Sequence, residues 1–269
     1  MSRIQQCFEQ MRMDGRKGLI PYLTAGDPEP GMTVDLMHRL VESGADLIEF
    51  GVPFSDPAAD GPVIQKACER ALVHNTSLRD VIGMVTEFRK TDQQTPVVLM
   101  GYLNPIEMMG YSKFAKAASE AGVDGLLTVD MPPEEADELA PILRESGIDP
   151  IFMLTPTSSA ERICQVGEHA SGFIYYVSLK GVTGSAALDP ADVAQKLEVI
   201  RQHLDIPLSV GFGIRDGESA GKIAQVADAV IVGSALVKRI AALIDSKDQI
   251  ADELARLMTE LRQGIDNAV

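Results

Sequence analysis

Leu47-Ile48-Glu49-Phe50-Gly51 and the following Val52-Pro53-Phe54-Ser55-Asp56-Pro57-Ala58-Ala59-Asp60-Gly61-Pro62 set out one complete unit of the fold. The opening run is apolar apart from a single carboxylate, the pattern of a strand covered on both faces. A proline-punctuated loop follows, and Gly61-Pro62 starts a helix whose apolar side is Val63, Ile64, Ala67, Cys68, Ala71 and Leu72.

The same unit recurs in both directions along the chain. Strand-like runs fall at 19–24, 47–51, 96–101, 125–129, 150–154, 172–177, 206–211 and 229–233. Helical spacing separates them: Val34, Met37, Leu40 and Val41 before a Ser43-Gly44 stop, then Leu78, Val81, Ile82, Val85 and Phe88, then Phe114 and Ala118, then Leu139 and Leu143 before Gly147. Ile4, Cys7, Phe8 and Met11 make an amphipathic helix ahead of the first strand, and Ile250, Leu254, Leu257 and Leu261 make one after the last. Eight strand–helix units without an intervening linker predict an α/β fold, a single (β/α)₈ TIM barrel with additional helices occupying residues 1–269 as one domain. A doubly wound open sheet is the alternative arrangement of the same elements.

Composition narrows the function. The chain has 269 residues, with 24 Lys and Arg against 39 Asp and Glu, a net charge of -15, and no basic tract. General binding to nucleic acid or to an anionic membrane is therefore not expected. The apolar stretch Ala229–Val237 is far shorter than the roughly 20 residues that span a bilayer, and the N-terminus has no basic cluster followed by an apolar core. These features predict a mature cytoplasmic protein. Cys7, Cys68 and Cys164 are too scattered for a disulfide framework and read as buried small hydrophobes. The histidines at 38, 74, 169 and 203 lack metal-ligand spacing, so no metal site is expected.

In a barrel, chemistry gathers where strands end at the C-terminal face. Glu49 lies on a buried strand with no basic residue beside it, and an unpaired buried carboxylate is costly enough to suggest a site. Asp56 and Asp60 sit in the loop that follows, where each reads equally as a turn former, a helix N-cap or a second functional carboxylate. After the seventh and eighth strands, Gly211-Phe212-Gly213-Ile214 and Gly233-Ser234 provide bare backbone N–H groups at the corner where barrels bind phosphate. Gly181-Val182-Thr183-Gly184, after the sixth strand, forms a third loop at that face. These residues predict an enzyme acting on a small phosphorylated metabolite.

The segment from Ile48 through Pro57 to Asp60-Gly61-Pro62 also resembles the signature of the tryptophan synthase alpha chain family. In order along the chain, Asp124-Gly125, Asp130-Met131-Pro132-Pro133-Glu134-Glu135, Tyr175-Tyr176-Val177-Ser178, Gly181-Val182-Thr183-Gly184, Gly211-Phe212-Gly213-Ile214 and Gly233-Ser234 match as well. The resemblance implies retro-aldol cleavage of indole-3-glycerol phosphate to indole and glyceraldehyde 3-phosphate. It assigns Glu49 as the acid–base group, with a raised pKa, and Asp60 as an ionised carboxylate holding the indole N–H. Tyr22, Met100, Leu127, Val129, Met153 and Phe212 would surround the indole, with Tyr175 near Glu49. Gly184, Gly213, Gly233 and Ser234 would hold the phosphate, and Thr183 would belong to a loop closing towards Asp60.

Two positions depart from the family pattern. Leu179-Lys180 follow the serine where many relatives carry Arg, and Tyr22 stands where Phe is common. The resemblance further implies a beta chain that receives the indole in an alpha2beta2 assembly, with Pro53, Asp56, Pro57, Asn104 and Pro132 facing it. Pyridoxal phosphate is expected in that partner, and no cofactor in this chain. The alternative is a stand-alone indole-3-glycerol phosphate lyase using the same residues.

Overall fold

The computed structural model describes residues 1–178, 190–211 and 213–268. Its strands are β1 (Gly18–Thr24), β2 (Ile48–Gly51), β3 (Val97–Gly101), β4 (Gly125–Thr128), β5 (Asp149–Leu154), β6 (Ile174–Val177), β7 (Leu208–Gly211) and β8 (Ala229–Val232). Each pairs in parallel with the next and β8 returns to β1, closing the barrel. The doubly wound alternative is thereby excluded. Around the barrel lie α1 (Arg3–Met13), α2 (Pro30–Glu42), α3 (Pro62–Val73), α4 (Leu78–Phe88), α5 (Leu103–Met109), α6 (Tyr111–Ala121), α7 (Leu139–Glu145), α8 (Ala160–His169), α9 (Pro190–Arg201), α10 (Gly217–Ala224), α11 (Ser234–Ala242) and α12 (Ile250–Asp266). No helix among the described residues is long and apolar enough to cross a membrane.

Alternation along the strands sorts the side chains into two layers. Ile48, Phe50, Leu99 and Leu126 join the large cluster between sheet and helices. Ile20, Leu47, Val98, Leu127, Ile151, Phe173 and Ile231 fill the barrel interior. Ile4, Phe8 and Met11 of α1 belong to that interior cluster, so α1 plugs one end. Ser2 holds it there by donating to Asp149 at 2.6 Å, and Arg3 by pairing with Asp124 at 2.8 Å, both acids standing just before or at the start of a strand. The plug thus closes the end of the barrel opposite the C-terminal mouth.

Several expectations shift in detail. On α2 the buried face is Thr33, Leu36, Met37 and Leu40, whereas Val34 and Val41 are half-buried, because the contact stripe is rotated relative to the sequence pattern. Cys68 is buried and Cys7 half-buried, but Cys164 is exposed on α8, its sulfur 3.8 Å from His203 Nδ1. The apolar seam of α8 is carried by Ile163 and Val166, which turns Cys164 outward.

The C-terminal helix is fitted closely enough to test. Side chains cannot grow where α10 meets α12: a Cβ on Gly221 would lie 2.5 Å from the Gly264 carbonyl oxygen, one on Gly217 2.6 Å from that of Glu260, and one on Gly264 would overlap the Gly217 backbone. Gly83, inside α4, has open space around it. Replacing a helical glycine by alanine normally gains roughly 0.5–1 kcal/mol. Urea denaturation should show that gain for Gly83→Ala, whereas Gly264→Ala should lose about 1–3 kcal/mol through forced helix separation.

Candidate active site at the C-terminal mouth

Strand register places the two ends of the site. Tyr22 on β1 is paired with Glu49 on β2, and Glu49 with Val98 on β3. Met100 lies between Gly51 and Leu127 on the neighbouring strands, while Tyr175 lies between Met153 and Ser209. Met100, Met153 and Tyr175 are half-buried against the interior cluster, and Leu127 is fully buried within it. These side chains form an apolar floor on which Glu49 stands.

Glycines let the aromatic rings lie flat. A Cβ on Gly51 would collide with the Tyr22 ring and hydroxyl, and one on Gly211 with those of Tyr175. Tyr22 crosses from β1 over Gly51, its hydroxyl accepting from Thr24 Oγ1 at 3.0 Å. Its ring also lies 3.8 Å from where a Cβ of Gly233 would sit.

Glu49 is 2% exposed, and its Oε1 has no hydrogen-bond partner among the described residues. Burial, followed by the nearby Asp60 charge, pushes its pKa from 4.5 up to about 8. It is therefore a protonated acid at neutral pH.

Asp60 reaches the same region from the loop between β2 and α3. It does not cap the helix, since Gly61 is the N-cap and no side chain bonds there. Its Oδ2 instead accepts from the Tyr102 hydroxyl at 3.0 Å. The loop is tied down by Gln65, whose side-chain amide donates to the carbonyls of Asp60 at 2.9 Å and Pro57 at 3.3 Å. Burial raises the Asp60 pKa and the Tyr102 hydrogen bond opposes that rise. The resemblance called for Asp60 to stay ionised; its pKa is raised, with burial outweighing the hydrogen bond from Tyr102. Tyr102 follows β3 directly and was not singled out in the sequence, although a polar aromatic residue at a strand's C-terminal end follows the same rule that marked Glu49.

At the glycine corner, Gly213 is exposed with φ +76°, a left-handed conformation that suits glycine. Gly233 precedes α11, Ser234 is its exposed first residue, and no side chain caps that helix end. Thr183, Gly184, the preceding residues 179–182 and Phe212 lie outside the described residues. Among the residues expected to face a partner, Asp56 and Asn104 are exposed and Pro57 and Pro132 half-buried, whereas Pro53 is buried.

Two roomy clefts lie elsewhere. One of about 900 Å³ runs between α1 and the segments leading into β6, β7 and β8, and one of about 1070 Å³ separates α2 from α4. Neither is lined by Glu49 or Asp60. In the first, Arg16 pairs with Asp46 at 3.1 Å and Arg201 with Asp228 at 3.5 Å, and none of its lining side chains is a buried group without a partner among the described residues. Among the described residues no three or more His, Cys, Asp or Glu side chains converge as metal ligands would.

Comparison with known proteins agrees with this architecture. Residues 8–266 match the family model described as tryptophan synthase alpha chain. The tryptophan synthase alpha chain of Thioalkalivibrio sulfidiphilus is 62% identical over 99% of this chain and 100% of its own length, and that of Nitrosococcus oceani 60% identical over 99% and 98%. Among solved structures, tryptophan synthase subunit alpha from Legionella pneumophila superposes with a TM-score of 0.94 at 48% identity, covering 99% of both chains. A tryptophan synthase structure from Mycobacterium tuberculosis, in its aminoacrylate-bound form, gives 0.86 at 36% identity, covering 98% of this chain and 100% of the other. With its fold, its strand-borne carboxylate and its sequence aligned almost end to end, the chain belongs to the tryptophan synthase alpha chain family.

Proposed function

We propose that this chain, working as one domain, cleaves indole-3-glycerol phosphate to indole and glyceraldehyde 3-phosphate, with Glu49 and Asp60 as the reacting pair. The observation that carries the reading is Glu49 itself, a buried carboxyl with a free oxygen and a pKa raised to about 8 at the mouth of a barrel of this family.

The chemistry requires a proton to arrive on the indole ring carbon that bears the side chain, and the adjacent side-chain hydroxyl to lose one. Protonated Glu49 delivers the first proton. The carboxylate it becomes then takes the hydroxyl proton as the carbon–carbon bond breaks and its electron pair returns to the ring. Indole and an aldehyde result, and Glu49 is again protonated. Positive charge on the protonated ring spreads to nitrogen, where the Asp60 carboxylate accepts the N–H. Tyr22, Met100, Leu127 and Tyr175, with Phe212, would enclose the ring. Gly213, Gly233 and Ser234, with Thr183 and Gly184, would hold the phosphate, where the uncapped end of α11 favours an anion.

We assign the partner side of the mouth to Asp56, Pro57, Asn104 and Pro132, with an alpha2beta2 assembly and pyridoxal phosphate in the beta chain. Met108, one turn beyond Asn104 on α5 and 82% exposed, adds an apolar side chain to that surface. Pro53, being buried, would support the loop from within.

Four outcomes follow from these assignments. Indole release by the purified chain should be slow and should rise strongly when a beta chain is added; high activity indifferent to the partner would instead identify a stand-alone lyase. Glu49→Gln should reduce turnover by about 10²–10⁴-fold, and near-normal turnover would remove the acid–base assignment. Because the protonated form acts first, kcat/KM should fall as pH rises through about 8. Linkage gives a matching stability test: the folded chain keeps the Glu49 proton up to about 8 while the unfolded chain releases it near 4.5, so this group's contribution to stability is lost as pH rises across that window. Chemical denaturation should therefore show Glu49→Gln gaining stability relative to the parent between those pH values.

A further inference from the structure

We propose that Tyr102 is a positioning residue for Asp60, fixing which carboxylate oxygen is offered to the substrate. The inference rests on the reading of Asp60 given above.

The Tyr102 hydroxyl stands between two groups of the same loop. It accepts from the Ala59 backbone N–H at 3.0 Å and donates to Asp60 Oδ2 at 3.0 Å. A phenol has one proton, so with its oxygen already accepting from Ala59 that proton is directed to the carboxylate. Such a bond is stronger to an ionised acceptor than to a neutral one. Oδ2 is thereby engaged, and Oδ1 is left for a ligand N–H.

Tyr102 is itself immobilised. It is 6% exposed, and its ring stacks on Phe54 with centroids 5.2 Å apart and planes at 28°. The backbone beside it is fixed by β3 on one side and by α5 on the other, and Leu103 N–H donates to Asp130 Oδ1 at 2.8 Å. A side chain carried by the barrel wall thus holds a carboxylate carried by a loop. Three residues of that loop, Phe54, Ala59 and Asp60, converge on this one ring and hydroxyl.

The groups around Asp60 make the bond consequential. Glu49 on β2, Tyr22 on β1, Cys68 on α3 and Tyr175 on β6 all sense its charge, and none is a cation. Tyr102 is the one side chain among the described residues that donates to the Asp60 carboxylate. Its hydrogen bond opposes the upward push of burial on Asp60, while its own pKa is raised, which keeps it a donor.

Tyr102→Phe, Asp60→Asn and the double variant test the proposal, assayed for indole release with a beta chain present. Tyr102→Phe should lower kcat about ten- to a hundredfold, the range for a hydrogen bond to a charged group, while KM changes less than about threefold. Losing a donor to the ionised form raises the Asp60 pKa, so the acid limb of the kcat profile should move to higher pH. A ¹³C titration of the Asp60 carboxyl should show the same rise without reference to turnover. In the Asp60→Asn background, Tyr102→Phe should cost less than about threefold. A Tyr102→Phe variant with full kcat and an unmoved Asp60 titration, or one whose full defect persists beside Asp60→Asn, would overturn the positioning role. Full activity in Asp60→Asn alone would overturn the underlying reading of Asp60, and the positioning role with it.

Discussion

Moving an ionised carboxylate into an apolar strand without a counter-charge is costly, and in practice the group answers by keeping its proton. Glu49 is in that position: its neighbours along β2 are Ile48 and Phe50, and its partners in register are Tyr22 and Val98. Among the described residues no ion pair relieves it, and a second carboxylate nearby raises its proton affinity further. The barrel must therefore be well packed around this residue, since water entering the floor would solvate the charge and return the acid to an ordinary one. The plug formed by Ile4, Phe8 and Met11 at the far end serves that exclusion, as does the interior layer of Val98, Leu127 and Ile151.

Parity along the strands converts this packing into a site. Because side chains alternate, Tyr22, Glu49, Met100 and Tyr175 reach the interior, whereas Ile48, Phe50 and Leu99 between them are committed to the helices. The rings need somewhere to lie, and Gly51 and Gly211 provide it by having no side chain beneath the hydroxyls of Tyr22 and Tyr175. Substituting either glycine would displace an aromatic wall before it touched any ligand. These glycines are accordingly part of the site although neither brings a functional group.

Much of this was legible in the sequence because its physical cause is local. Continuous apolar runs mark strands buried on both faces, and every predicted strand lies within two residues of an observed one at each end. Glu49 stood out by the same logic, as the charged exception within such a run. Residue pattern alone left Asp56 and Asp60 equal, and only the family resemblance separated them, because the difference between them is not local: Asp56 is exposed, while Asp60 is bonded to Tyr102 from another strand's end and anchored by Gln65 from the next helix. Their sequence surroundings, each an acid in a turn-rich segment, carry no trace of that. The rotation of the α2 stripe and the outward turn of Cys164 are likewise set by neighbouring helices, which periodicity does not encode.

The two carboxyl groups also differ in how they are held, and the difference matches the role proposed for each. Glu49 is fixed by a strand in the barrel wall, which suits the acid–base role proposed for it. Asp60 is held from outside its own loop, by a hydroxyl and a stacked ring rather than by regular secondary structure. A loop fastened by a few bonds opens at lower free energy than a strand fastened along its length. Asp60 is therefore tied to the barrel through few bonds, whereas Glu49 is part of the wall itself. Asp56 and Pro57 lie in the same loop as Asp60, and Asn104 lies two residues beyond Tyr102, whose hydroxyl bonds Asp60. The different anchoring of the two carboxyl groups follows from placing one on a strand and the other on the loop that leaves it.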